Sequence, residues 1–216
     1  MDFIYKFKDT KILEEYSKNT PIKELFIKEK LGIILLGIPG SGKSTFARNV
    51  INKYQSSIKT FSTDDVSFKF TKDKSKYHKG STELNIRYLM SYINSGHNFI
   101  YDTTGSNDKA IFDVFKSSKK NGYKVIFILI LIDVDISKER NKKRGESGGH
   151  MADGEYIDFV YSRQLGTTKD FLKNLRPDNF YVVNDVNGKY KYYKHNGDEI
   201  LKRKMDKYIT FKKWNI

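Results

Sequence analysis

The chain runs LGIILLGIPGSGKSTFAR over residues 31–48, where an apolar run leads directly into a glycine-rich loop. Gly37, Gly42, Lys43 and Ser44 complete the spacing G-x-x-x-x-G-K-S. A strand, a loop of this pattern and a following helix are the context that a phosphate-binding loop requires. The stretch therefore predicts a nucleotide-binding site in an α/β domain.

The predicted phosphate contacts lie in the loop itself. Glycines allow successive backbone N–H groups to point at a phosphate, and the N-terminus of the following helix adds partial positive charge. Lys43 is expected to reach the β- and γ-phosphates, and the Ser44 hydroxyl is expected to bind Mg²⁺. The predicted nucleotide-binding residues are Gly37, Ile38, Pro39, Gly40, Ser41, Gly42, Lys43, Ser44 and Thr45.

Composition limits what the protein can be. Its 216 residues include no cysteine, which excludes disulfides, thiolate zinc sites and cysteine nucleophiles. The longest apolar run, residues 125–132, is far shorter than the roughly 20 residues that span a bilayer. We therefore expect a soluble cytoplasmic protein without a membrane partner. The formal net charge of +14 favours a polyanionic partner, but the composition that an adenine/thymine-rich genome imposes explains it equally well.

Apolar runs and helical stretches alternate through the middle of the chain. This order is typical of a parallel sheet with crossover helices, so we expect a doubly wound α/β core. Ser106 is placed to cap the third helix. The predicted strands are 32–37, 58–63, 98–103, 123–133 and 180–185, and the predicted helices are 44–54, 82–95, 107–120, 137–144 and about 154–174.

Three regions are predicted along the chain. Residues 1–30 are expected to form a helical extension, 31–185 the core, and 186–216 a C-terminal extension. Asn187-Gly188 and Asn196-Gly197 are strong hairpin signals, because both residue types tolerate positive φ. They predict an antiparallel β-meander at the edge of the sheet.

Acidic residues follow two of the predicted strands. Asp64 and Asp65 end the second strand, and Asp102 ends the third. Ligands of open α/β folds bind at this carboxyl edge of the sheet. A carboxylate in the first position can accept the proton of an attacking hydroxyl, and Asp102 can order Mg²⁺ or support a catalytic arginine. The alternative interpretation is that these acids cap the segments that follow.

The sequence SKERNKKRGESGGH, residues 137–150, predicts a mobile lid. Arg140 and Arg144 lie four apart, hence on one face of a helix, and three glycines follow closely. Guanidinium groups on a movable segment suit phosphoryl transfer, which depends on positioning and on neutralising charge. A solvated basic helix face is the alternative.

Four segments taken together resemble a known family. GIPGSGKSTFAR, STDD, FIYDTTGSN and RNKKRG, in this order, resemble the kinase domain of phage-type polynucleotide 5′-kinases and, more broadly, the zeta-toxin and polynucleotide-kinase group of P-loop kinases. The resemblance covers roughly residues 31–165. It implies a five-stranded parallel sheet of strand order 2-3-1-4-5, with ATP and Mg²⁺ as cofactors.

The resemblance also assigns a role to each matching residue. Lys43 and Ser44 would contact the phosphates and the metal, and Asp64 would be the general base. Asp102 would support the arginines, and Arg140 and Arg144 would be the clamps of the lid.

The acceptor stays open between two substrates. Polynucleotide kinases of this group carry an arginine three positions after the first acid, whereas this chain has Ser67 there. The zeta-toxin branch phosphorylates a UDP-activated amino sugar with the same placement of the acid. A nucleic acid 5′ end is favoured by the basic charge, and a nucleotide sugar is the alternative.

Other functional classes find less support. A guanine-specific switch would carry an Asn-Lys-x-Asp signature, which is absent, and a motor ATPase would follow Asp102 with glutamate where this chain has Thr103. A non-enzymatic nucleic-acid-binding domain would leave the acids and the paired arginines unexplained. The histidines show no metal-ligand spacing and are interpreted as structural. They are His78, His97, His150 and His195.

Overall fold

The computed structural model describes residues 30–54, 58–64, 78–186 and 189–195. Strands and helices alternate there as the apolar pattern predicts. In chain order the elements are β1 (Leu31–Leu36), α1 (Lys43–Tyr54), β2 (Lys59–Ser62), α2 (His78–Asn94), β3 (Phe99–Thr103), α3 (Asp108–Lys120), β4 (Lys124–Leu131), α4 (Val134–Glu146), α5 (Gly154–Leu175), β5 (Asn179–Val186) and β6 (Lys189–His195).

The strands form one sheet in the order β2-β3-β1-β4-β5-β6. The first five are parallel, which confirms the predicted order 2-3-1-4-5, and β6 pairs antiparallel with β5. The predicted helical extension over residues 1–29 and the turns at Asn187-Gly188 and Asn196-Gly197 lie outside the described residues. Because β1 lies between β3 and β4, the segments that leave β1 and β3 meet at one edge of the sheet.

The central strand β1 is buried on both faces, as its unbroken apolar sequence requires. Ile34 and Leu36 belong to a core cluster that includes buried side chains of α2, α3 and α5. Ile33 and Leu35 face the opposite cluster, where Ala47 of α1 packs. Within the described ranges, no helix has the length and apolar character that crossing a bilayer requires.

The cap of α3 differs from the prediction. Asn107, not Ser106, is the N-cap, and its side chain accepts a hydrogen bond of 3.1 Å from the backbone N–H of Ala110. Ser106 lies one residue too early, and its hydroxyl is instead 3.0 Å from that of Thr104. The prediction failed because serine and asparagine both favour the cap, and only the local backbone decides between neighbours.

The helix of the predicted lid also begins earlier than residue 137. Asp133 caps α4 by accepting a hydrogen bond of 3.0 Å from the N–H of Asp135, so the helix starts at Val134. As a result Ser137 lies within the first turns of α4 and is fully buried.

We expect Gly32→Ala to destabilise the fold. An added β-carbon at Gly32 would lie 2.5 Å from the ring of Phe99, which is itself fully buried and packs against Tyr123. Overpacking of this kind costs about 1–3 kcal/mol of unfolding free energy. Urea unfolding followed by circular dichroism measures it.

The matched control is Gly166→Ala. Gly166 lies inside α5 with no atom within 4 Å of the added β-carbon, so the better helix propensity of alanine should raise stability by about 1 kcal/mol. Equal effects of the two substitutions would contradict the tight packing at Gly32.

Candidate active site

The phosphate-binding loop joins β1 to α1. Residues 37–42 form the loop, and Lys43, Ser44 and Thr45 are the first three residues of the helix. Gly40 and Gly42 adopt φ of 80° and 94°, which residues with a β-carbon rarely do. The loop therefore has the backbone that its glycine spacing predicts.

Lys43 holds the loop from inside. Its buried ammonium group donates hydrogen bonds to the carbonyl oxygens of Gly37 at 2.8 Å and of Ile38 at 3.1 Å. The side chain of Ile38 is fully buried in a small cluster with Ile132 and Ile157. The loop is thus anchored to the core on one side and to its own lysine on the other.

Asp102 lies opposite Lys43 at the end of β3. One carboxylate oxygen accepts a hydrogen bond of 3.0 Å from the Ser44 hydroxyl, and the other is 3.9 Å from the Lys43 ammonium nitrogen. The two charged side chains are only 9% and 5% exposed. The register that pairs Leu35 with Asp102 brings these residues together, although they are far apart in sequence.

Burial dominates the electrostatics of this pair. It lowers the pKa of Lys43, against the opposing effect of the carboxylates of Asp102 and Asp64. It also raises the pKa of Asp102, against the opposing effects of Lys43 and of the hydrogen bond from Ser44. Each buried charge thus depends on its neighbours for compensation.

Asp64 stands at the rim of the same site, just after β2. Its side chain is 44% exposed, and it acts electrostatically on both Lys43 and Asp102. Asp65 and Ser67 lie outside the described residues. The described residues therefore place Asp64, one of the two acids predicted after the second strand, beside the loop.

The helix α4 packs directly on the phosphate-binding loop. The buried hydroxyl of Ser137 donates a hydrogen bond to the carbonyl oxygen of Pro39. A β-carbon at Gly40 would lie 2.5 Å from the carbonyl oxygen of Ser137. The close approach of α4 therefore requires glycine at residue 40, in addition to the backbone conformation of the loop.

Arg144, one of the two predicted lid arginines, acts electrostatically on the buried pair. Its positive charge lowers the pKa of both Lys43 and Asp102, and for each of them burial is the largest cause of the shift and Arg144 the smallest. Arg144 donates a hydrogen bond of 3.0 Å to the side-chain oxygen of Asn141.

The segment after α4 is tied back to that helix. Asn141, only 4% exposed, donates to the carbonyl oxygen of Ala152 at 2.8 Å and accepts from its N–H at 3.0 Å. The N–H of Gly149 donates to the carbonyl oxygen of Arg144 at 2.9 Å. Between these anchors lies His150, whose Nε2 is 3.9 Å from an Asp64 carboxylate oxygen.

A groove opens beside the site, between the segment after β3 and α5. The hydroxyl groups of Thr104, Ser106 and Tyr156 lie within 3.0–3.3 Å of one another. Gln164, 6% exposed, also lines the groove, and its amide nitrogen has no hydrogen-bond partner in the described residues. Such buried donors are rare and call for an explanation.

An aromatic ring and a guanidinium form the outer wall of this groove. Arg163 lies 5.2 Å from the centre of the Phe159 ring, which remains 48% exposed. Exposed aromatic rings with an adjacent arginine are typical of surfaces that stack nucleobases.

The oxygen ligands at the loop fit Mg²⁺ bound together with a nucleotide. Mg²⁺ prefers oxygen ligands and is usually held by one or two carboxylates plus substrate phosphates, which the hydroxyl of Ser44 and the carboxylate of Asp102 match. Among the described residues no group of three or more His, Asp or Glu could hold a metal alone. The buried hydroxyl of Ser41 and Nε of Arg144 lack partners there, so they are available as donors to phosphate.

Sequence reasoning missed three features of this site. His150 was interpreted as structural, Ser106 as a cap, and Gln164 was not singled out. His150 belongs to the segment predicted as a lid, but only the fold brings it beside Asp64. Gln164 had no signal, because a glutamine in a helix is usually exposed.

A family model described as an AAA domain matches residues 33–159, more than half of the chain. A curated relative, an adenylate kinase of Bacteroides fragilis, is 28% identical over 170 residues, covering 66% of this chain and 85% of its own. The match to the family model contains the phosphate-binding loop. The two matches show a P-loop protein that is kinase-like.

Solved structures share the fold. A chain of the PezAT chromosomal toxin–antitoxin system of Streptococcus pneumoniae superposes with a TM-score of 0.62 at 18% identity, over 80% of this chain and 73% of that one. A chain of the Pnkp1/Rnl/Hen1 RNA repair complex gives 0.55 at 24% identity, over 66% and 46%. At such identities the likeness establishes the fold.

We expect Gly40→Ala to weaken ATP binding about 10-fold or more and to lower stability. The new β-carbon would collide with the Ser137 carbonyl oxygen at 2.5 Å and displace the loop from α4. Isothermal titration calorimetry with ATP and urea unfolding measure the two effects.

Gly122→Ala is the matched control. Gly122 has a similar φ of 76° but no atom within 4 Å of an added β-carbon, so it carries the backbone strain without the collision. It should lose about 1 kcal/mol of stability and keep its ATP affinity. The same loss of ATP affinity in both variants would contradict the role of the α4 contact.

Proposed function

The chain belongs to the AAA domain family, and on that premise we propose that it is an ATP-dependent kinase that phosphorylates a hydroxyl group, namely the 5′-hydroxyl of a nucleic acid. The observation that carries the proposal is the grouping of Lys43, Asp102, Asp64 and Arg144 around one loop. A binding loop alone needs no exposed carboxylate at its rim. A kinase whose acceptor is a hydroxyl group can use one to receive the proton of that hydroxyl.

The donor half of the proposed site holds ATP. The loop N–H groups and Lys43 bind the β- and γ-phosphates, and Arg144 approaches the transferred group with a guanidinium that can form two hydrogen bonds. Ser44 and Asp102 would hold Mg²⁺, which would supply neutralisation of charge on the phosphate oxygens. Desolvation of Lys43 strengthens its interaction with an anion, because less water screens the charge.

Asp64 is the general base of the proposal. The acceptor oxygen attacks the γ-phosphorus while the bond to the bridging oxygen of ADP breaks, and the hydroxyl proton passes to the Asp64 carboxylate. The products are ADP and the phosphorylated acceptor. An exposed carboxylate at the rim suits this role, since a diffusing acceptor can reach it.

The groove beside the site supports a nucleoside as the acceptor. Its charged lining residues are one arginine, Arg163, and one acid, Asp108, so a second phosphate would find no net positive charge there. Neutral donors and acceptors are supplied by Thr104, Ser106 and Gln164, which suit a ribose or a base. Phe159 offers a stacking surface of the kind that single-stranded ends use.

Two other acceptors compete with the 5′-hydroxyl of a nucleic acid. AMP is the acceptor that the name of the Bacteroides relative suggests, and its phosphate would meet one arginine, Arg163, offset by one acid, Asp108, in the groove. A UDP-activated amino sugar is the alternative from the sequence resemblance. An ATPase without any acceptor is the more distant alternative.

The deciding experiment supplies γ-labelled ATP with four acceptors. These are RNA and DNA oligonucleotides with 5′-hydroxyl ends, UDP-N-acetylglucosamine and AMP. We expect label on the oligonucleotides. Label on AMP or the nucleotide sugar alone would replace the proposed acceptor, and phosphate release that ignores every acceptor would indicate an ATPase.

We expect Asp64→Asn to lower kcat by about 10²–10⁴-fold while ATP affinity stays within about twofold. The amide keeps the size of the side chain and loses the ability to take the proton. Asp113→Asn, an exposed change on α3, is the matched control and should leave both quantities unchanged. Near-normal turnover of Asp64→Asn would show that the base has been assigned wrongly.

Lys43→Ala should abolish phosphoryl transfer for a different reason, because it impairs ATP binding as well as turnover. It removes the buried cation that faces the phosphates, so ATP affinity and turnover both fall, turnover by about 10²-fold or more. Lys116→Ala on α3 is the control for loss of a lysine. Retained ATP affinity in Lys43→Ala would contradict the assignment of the loop lysine.

A further inference from the structure

One contact between the lid region and the rim of the site has no place in the reaction as proposed above. Nε2 of His150 lies 3.9 Å from a carboxylate oxygen of Asp64, and the imidazole is 27% exposed. The two residues come from distant parts of the chain, one after β2 and the other between α4 and α5. The fold therefore places a histidine beside the proposed general base.

The backbone on both sides of His150 is fixed to α4. The N–H of Gly149 donates to the carbonyl oxygen of Arg144, the residue of α4 whose charge acts on the buried pair. Ala152 is held by both ends of the Asn141 amide, at 2.8 and 3.0 Å. A residue held between two such anchors moves with the helix that supplies them.

The same helix thus serves both halves of the site. Arg144 carries a guanidinium from α4 towards Lys43 and Asp102, and the segment that returns from α4 carries an imidazole to Asp64. Any displacement of α4 that withdraws one group also withdraws the other.

From this arrangement we infer that His150 is a positioning residue for Asp64. This inference rests on the proposed kinase function. An imidazole N–H donor beside one carboxylate oxygen fixes the rotation of the carboxylate and leaves the second oxygen for the acceptor hydroxyl. Orienting partners of this kind change rates about 10–100-fold in other sites, although they touch no substrate. His150 acts only when α4 is seated, so the base is aligned only when Arg144 is in place.

The distance between His150 and Asp64 indicates that the histidine orients the carboxylate rather than stabilises the fold. At 3.9 Å the pair is longer than a hydrogen bond, and both side chains are partly exposed. Such exposed pairs contribute little to folding, whereas contacts of catalytic groups commonly shorten once the substrate is bound. The effect of His150 is therefore expected in kcat rather than in the melting temperature.

The kinetic test compares His150→Ala with His150→Gln in the full chain. Alanine should lower kcat by about 10–100-fold and leave ATP affinity and melting temperature unchanged. Glutamine keeps an N–H donor and should recover at least half of the loss on a logarithmic scale. His97→Ala is the matched control, since His97 is an exposed histidine at the opposite edge of the sheet, before β3.

A second measurement needs no catalysis. In NMR spectra, the imidazole resonances of His150 are identified as those that disappear in His150→Gln. The same resonances should shift in Asp64→Asn, while the resonances of His97 should not shift. If the His150 resonances shift in Asp64→Asn but kcat is unchanged in His150→Ala, the positioning role is overturned and the proposed kinase function is not. No transfer to any acceptor by the wild-type protein, with the signal still shifting, would overturn the proposed function and the role that depends on it. Absence of the shift would overturn the contact itself.

Discussion

The buried pair of Lys43 and Asp102 is the constraint on which the rest of the site depends. Moving one such charge out of water costs several kcal/mol, and a hydrophobic pair of the same volume would be at least as stable. The pair is therefore a poor way to stabilise a fold and a good way to hold a phosphate. It is possible only because β1 and β3 are neighbours, with Leu35 in register with Asp102. Strand order thus dictates the chemistry of this edge of the sheet.

Packing, rather than charge, ties the remaining parts to this pair. The hydrogen bond from Ser137 to Pro39 and the close approach to Gly40 fix α4 against the loop. Asn141 then fixes the segment after the helix. Positions set in this way are more exact than positions set by surface charges, because buried hydrogen bonds have narrow geometry and exposed ion pairs do not.

Much of this could be predicted from the sequence, and the part that could not has a physical reason. The loop, the five parallel strands and Asp102 at a strand end follow from local apolar pattern and one motif. Local pattern could not choose between Ser106 and Asn107 as the cap, because both are good cap residues. It also could not show that the charge of Arg144 acts on the pair, since spacing along a helix does not record what that helix packs against. His150 depends on a contact between distant segments, which spacing does not record.

The anchoring of α4 at its beginning has a mechanical consequence. With Ser137 fixed on Pro39, the helix is held near one end and acts as a lever whose fulcrum is the phosphate-binding loop. At about 1.5 Å of rise per residue, Arg144 lies about 10 Å from that fulcrum, so a tilt of about 10° displaces it by about 2 Å. A shift of that size is enough to make or break a hydrogen bond to a phosphate. A small change in the angle at which the loop holds Ser137 would thus be amplified at the far end of the helix.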